Sequence, residues 1–142
     1  MIAQGPESLR RLRLALSVAS LANDGAIEQL GPLLHPELHV PSVPGLAPFK
    51  GYRGPDGFRR YFVEARSHGF HARADVTEAI VTAEGNVLAS GDLVCTVDGE
   101  SESLPAWFVY RFRDGLVSAI ETYTDGKTAR RGAHQPLADA SD

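Results

Sequence analysis

LPAWFVYRFRDGLVSAIETYTD, residues 104–125, is the stretch whose reading decides the fold. It alternates with a period of two: Phe108, Tyr110 and Phe112 fall on one side of a strand, and Trp107, Val109 and Arg111 on the other. Asp114-Gly115 interrupts the alternation. Asp-Gly between two such runs signals a hairpin, because a type I′ turn needs positive φ at both central residues. The first strand is apolar-rich on both sides, unlike a strand with one wet face. One side is therefore expected to line the core, and the other a subunit interface anchored by Trp107. On the second strand Ile120, Thr122 and Thr124 share a side, and Glu121 and Tyr123 share the opposite one.

The same period continues toward the N-terminus. Further extended stretches are expected at about 71–83 and 87–97, bounded by Glu84-Gly85-Asn86 and Asp98-Gly99-Glu100. Before Phe70 the period is that of a helix. Leu9, Leu12, Leu16 and Ala19 lie on one face, widened by Leu14, Val18 and Leu21, with Ser8 as cap and Asn23-Asp24-Gly25 as stop. Arg10-Arg11-Leu12-Arg13 ahead of Leu14–Ala22 also has the outline of a secretion signal. Ser17, Ser20 and the stop residues favour the helix, and with it a cytoplasmic location and retention of the segment. Ile27, Leu30 and Leu34 mark a short second helix, Leu38-His39-Val40 a short strand, and Pro41, Pro44, Gly45 and Pro48 an irregular loop. Gly54-Pro55 starts a third helix, since proline suits the first helical position, and Phe58, Phe62 and Ala65 set its face. Three helices followed by an antiparallel meander give an α+β fold, with helices on one face of a curved sheet. The chain reads as one domain over 1–126 and a polar, flexible tail over 127–142, a frayed helix turn from Gly126 and then disorder, with Asp125 ending a strand or capping that turn.

Composition excludes several classes. The single Cys95 allows neither an internal disulfide nor a cysteine-rich zinc site. Net charge is -4, and residues 26–125 carry eight basic against fourteen acidic residues, a poor footprint for nucleic acid. The longest apolar run is too short to span a membrane. No phosphate loop, dinucleotide fingerprint, Ser-His-Asp pattern or metalloprotease helix is present, so no cofactor is expected. His35 and His39 are four apart, a spacing that binds metal on a helix, but Pro36 breaks any helix there and no metal site is expected. His39 is the better proton-transfer candidate, although alternation points it away from Val40 and Ser42. His68 and His71 fall in an expected loop.

Tyr52-Arg53-Gly54-Pro55-Asp56-Gly57-Phe58, opening a helix, resembles a recurrent segment of SnoaL-like proteins. So does Phe112-Arg113-Asp114-Gly115-Leu116-Val117, followed by Tyr123-Thr124-Asp125. These proteins belong to the nuclear-transport-factor-2-like superfamily, and the order of elements over residues 8–126 is similar. The resemblance implies a conical α+β fold, a pocket between sheet and helices, and a homodimer. It implies no single activity, because the superfamily includes isomerases, cyclases, epoxide hydrolases and non-catalytic modules.

Placed on the ketosteroid isomerase pattern, Ser42 stands at the base, Val18 near the tyrosine and Phe108 at the acid, so that machinery is missing. On the limonene epoxide hydrolase pattern, Asp92 matches one aspartate, Ser90 stands near the arginine and Thr122 at the second aspartate. A cyclase of the SnoaL type uses an acidic group, for which Asp92, Glu121 and Asp125 are the candidates. By the same analogy the Ile120, Thr122 and Thr124 side faces the pocket. If the chain is an enzyme, Asp92 is the expected acid/base, with Tyr110 orienting an oxygen; the other reading of Asp92 is a solvated strand residue. The expected pocket lining is Val18, Val40, Ser42, Phe62, Phe108 and Thr122, holding a small hydrophobic molecule. The alternative is a non-catalytic ligand-binding or dimerisation module.

Overall fold

Asp98 and Asp114 both have positive φ, as do Gly99 and Gly115 that follow them, so each Asp-Gly pair closes the type I′ hairpin its sequence asks for. These turns join β4 (Val87–Val97) to β5 (Glu100–Arg113) and β5 to β6 (Leu116–Tyr123), and β3 (Phe70–Val81) pairs with β4 across residues 82–86. The structure, a computed structural model, describes residues 5–42 and 51–135. The expected loop prolines Pro44 and Pro48 lie outside the described residues. Two shorter strands complete the sheet: β1 (Leu34–Val40), parallel to β6, and β2 (Tyr52–Arg53), antiparallel to β1. The six-stranded order is β2-β1-β6-β5-β4-β3.

Helix α1 (Gly5–Asp24) starts ahead of the expected Ser8 cap and ends at Gly25 in the left-handed region. The segment that resembled a secretion signal is thus the body of a helix whose Ala15, Val18 and Ala19 are buried against the sheet. Helix α2 (Ile27–Leu30) is one turn, continued by a 3-10 turn at Gly31–Leu33, and Leu34 already belongs to β1. Pro32 denies the helix an amide donor, so the expected second helix stops short of Leu34. Helix α3 (Gly54–Ser67) begins with proline in its first turn and buries Gly57, Tyr61, Phe62 and Ala65. Helix α1 packs on β3 and α3 on β1, so the two lie over opposite flanks of the sheet.

The residues expected as a flexible tail begin with helix α4 (Gly126–Ala133). Asp125 caps it by accepting from the amides of Lys127 and Thr128. Its small side chains, Ala129 and Ala133, are fully buried against Leu88 and Val109 on the outer face of the sheet, with Ile80, Trp107 and Tyr123 around them. Four donors reach its last carbonyls: Arg111 bonds Gly132 O at 2.8 Å and Gln135 O at 3.1 Å, Asn86 bonds Ala133 O at 2.9 Å, and Thr82 bonds Ala133 O at 3.2 Å. This corrects the sequence reading twice. The region up to Gln135 is folded, and the Trp107–Val109–Tyr123 face expected to receive a second subunit is covered by the chain's own helix.

Candidate functional site

The inner face of the sheet, toward α1 and α3, carries Ala72, Ala74, Val76, Val87, Ala89, Leu93, Cys95, Leu104, Ala106, Phe108, Tyr110, Phe112 and Ile120. A carboxylate in register with that face is Glu102, exposed at the end of β5 beside Cys95. Four expected lining residues do meet there: Val18 from α1, Phe62 from α3, and Phe108 and Tyr110 from β5 share one core, and Val40 packs against it. Thr122 pairs with Phe108 in register and is half-buried. A cluster of Tyr52, Phe58, Tyr61 and Phe62 closes the α3 side, with Tyr61 ring centroids 4.8 Å from Tyr52 and 5.3 Å from Phe62. Arg11 enters from α1, its guanidinium 5.4 Å from the Phe112 ring centre and bonded to Gly85 O.

Tyr110 is the polar exception in this interior. Its side chain is fully buried, and burial alone pushes its phenol well above the ordinary tyrosine range. Among the described residues no side chain hydrogen-bonds its hydroxyl. The buried side-chain oxygen left without a partner among the described residues is Ser118 Oγ, in the bulge where β6 slips against β5. Burial also raises Tyr61 and, with the nearby Glu102, the Cys95 thiol, so both stay neutral near pH 7.

A cleft of about 90 Å³ opens between α2 and α3. Ile27, Leu30, Leu34, Phe58 and Phe62 form its apolar walls, and Glu28 and Arg59, joined as an ion pair, stand at its rim. Only the Phe58–Phe62 spacing in the sequence points to this cleft.

The acidic candidates stand elsewhere. Val87, Ala89, Leu93 and Cys95 face the core, so Asp92 faces outward; it pairs with Asp75 and Pro105 and is exposed. It shares no cavity with Tyr110, contrary to the sequence reading, because the two residues project from opposite faces. Glu121 receives Arg111 in a two-pronged pair, at 2.7 and 3.1 Å, and Tyr123 Oη at 2.7 Å, on the side covered by α4. Asp125 caps α4. Ser42 is exposed at the end of the described stretch before residue 43 and contributes nothing to the core.

The histidines are occupied structurally. His35 Nδ1 accepts from the Glu37 amide and its Nε2 lies 3.2 Å from Asp114 Oδ2, tying β1 to the β5–β6 hairpin. His39 lies apart from the interior; partial burial and the Arg53 charge lower its pKa, against a smaller opposing pull from Glu121. His71, expected in a loop, is on β3 and contacts Asn23 O. Among the described residues no three His, Cys, Asp or Glu side chains converge as metal ligands. No helix among them is long and apolar enough to cross a membrane.

The sequence profile described as the SnoaL-like domain matches residues 17–120, and the chain belongs to that family. Solved structures agree on the nuclear-transport-factor-2-like fold. Bal32a from a soil-derived mobile gene cassette superposes with a TM-score of 0.72 at 14% identity, covering 92% of this chain and 100% of that one. TerC, co-crystallised with polyporic acid, gives 0.69 at 18% identity over 89% of this chain and 99% of that one. An epoxide hydrolase of the LEH-like type from M. tuberculosis gives 0.68 at 14% identity over 90% and 92%. Comparison with curated proteins yields no match.

Proposed function

We propose that the chain binds a small, neutral, largely apolar molecule in the interior between the sheet and helices α1 and α3, with the Tyr110 hydroxyl donating a hydrogen bond to a ligand oxygen. The observation that carries this is the buried phenol of Tyr110. With no side-chain hydrogen bond to Tyr110 among the described residues, its hydroxyl is free to donate to a ligand oxygen. Apart from Arg11 beside Phe112 and Glu102 at the far end of β5, the surrounding walls are apolar, which favours a largely apolar ligand. Binding is favoured over acid/base isomerase, cyclase or hydrolase chemistry because Asp92, Glu121 and Asp125 all stand outside the interior. The co-crystallisation of TerC with polyporic acid supports the general reading, as a protein of the same fold that accepts a small molecule. The same proposal keeps a homodimer, now on a surface other than the one α4 covers. Leu9 and Leu16, exposed one heptad apart on α1, support that.

The test compares 2-naphthol with naphthalene. The wild type should bind the naphthol more tightly, by roughly 2- to 10-fold for one hydrogen bond. Tyr110→Phe should erase that difference while keeping the naphthalene affinity. An undiminished preference in the variant would refute the role given to Tyr110.

A further inference from the structure

We propose that the cleft between α2 and α3 is the portal by which a ligand reaches the interior, and that the Glu28–Arg59 ion pair is a latch across it. The inference rests on the ligand-binding reading and adds the route. Leu34 and Phe62 belong both to the cleft wall and to the core that contains Tyr110. A molecule in the cleft therefore already touches the interior's own side chains, with no polar layer to cross. At about 90 Å³ the cleft is smaller than a cavity that holds benzene, roughly 150 Å³. Passage needs one wall to move.

The shorter wall is helix α2, whose Leu30 is anchored in the core and whose Ile27 and Glu28 line the cleft. It has four residues and no side-chain cap, and it scarcely touches α3 apart from the ion pair. A single uncapped turn has little stability of its own. Both latch side chains are largely exposed, so their pairing contributes little and is screened by salt, which suits a closure that opens readily. Gly31, on the cleft wall, has a helical backbone, and a Cβ added there meets no atom within 4 Å. A larger residue there has open space ahead of it and narrows the passage, although Pro32 crowds any side chain on the helical backbone before it.

The experiment is stopped-flow association of N-phenyl-1-naphthylamine, a neutral dye that brightens in apolar surroundings. Glu28→Gln and Arg59→Gln should each raise the association rate up to about fivefold. Raising salt to about 0.5 M should do the same for the wild type and little for the variants. Gly31→Trp should slow association by roughly tenfold or more. Arg73→Gln, which breaks an exposed pair on β3, is the control and should leave the rate alone. If the dye binds but latch variants, salt and Gly31→Trp leave its rate unchanged, the portal is wrong and the ligand-binding reading stands. Should Gly31→Trp fold poorly, the latch variants and the salt series decide the matter alone. No binding of the dye to the wild type would overturn both.

Discussion

Tyr110 and Asp92 sit 18 positions apart in sequence, and the two faces of one sheet separate their chemistry. The phenol of Tyr110 is dry and neutral, while the carboxylate of Asp92 is wet. Asp92→Asn should therefore change stability by less than about 0.5 kcal/mol and leave naphthol binding intact, as calorimetry and titration would show. The side that Asp92 takes was legible in the sequence. Val87, Ala89, Leu93 and Cys95 alternate as an apolar set, and Asp92 falls between two of its members. The hydrolase pattern alone argues for the interior, whereas the alternation supports the solvated strand residue that the sequence also allows. A second residue-scale prediction concerns Gly91, where a Cβ would stand 1.9 Å from Asp75 O. The bulge in β3 between Val76 and Glu78 brings that backbone onto the glycine. Gly91→Ala should destabilise the fold by roughly 2–4 kcal/mol, read as a lowered denaturation midpoint.

At the scale of elements, helix α4 departs most from the sequence reading. Its pattern is short, rich in glycine and arginine, and carries no large apolar residue, so it reads as polar. What holds it lies far away in sequence: Thr82 and Asn86 at the β3–β4 turn, and Arg111 on β5. The only local signal was Asp125, whose spacing before Thr128 is that of an N-cap. Arg111 is buried, and its charge is balanced by Glu121 and by the helix carbonyls. Removing it leaves the largely buried Glu121 carboxylate without its cation and Gly132 O without its donor. Arg111→Ala should cost about 3–5 kcal/mol, and amides in Gly126–Ala133 should exchange faster than those of β4 and β5. Unchanged exchange in α4 would show that packing of Ala129 and Ala133 alone secures it. The meander, by contrast, was readable because alternation and Asp-Gly turns are local properties, and both hairpins formed where expected.

At the scale of the whole molecule, the described residues separate a dry inner side from an outer side whose polar groups are paired across α4. That separation sets the response to alkali. Tyr61 and Tyr110 are raised by burial, and Tyr123 is raised to about 12 by burial and by its bond to Glu121. In the unfolded chain these phenols ionise near 10.0, so between pH 10 and 12 the unfolded state holds fewer protons than the folded one. Stability should be full below pH 10 and fall through that window. Phenolate absorbance should rise together with loss of the fold, and Tyr123→Phe should shallow the decline. The class of fold was legible because it follows from periodicity and turn chemistry. The site was only half legible, because which side of a strand faces the interior depends on what packs there. The most direct test of the central claim is a crystal structure of the protein with 2-naphthol. The account predicts the naphthol oxygen at hydrogen-bond distance, about 2.7–2.8 Å, from Tyr110 Oη among Val18, Phe62 and Phe108. A naphthol bound on the outer face, or inside with its oxygen turned away from Tyr110, would contradict it.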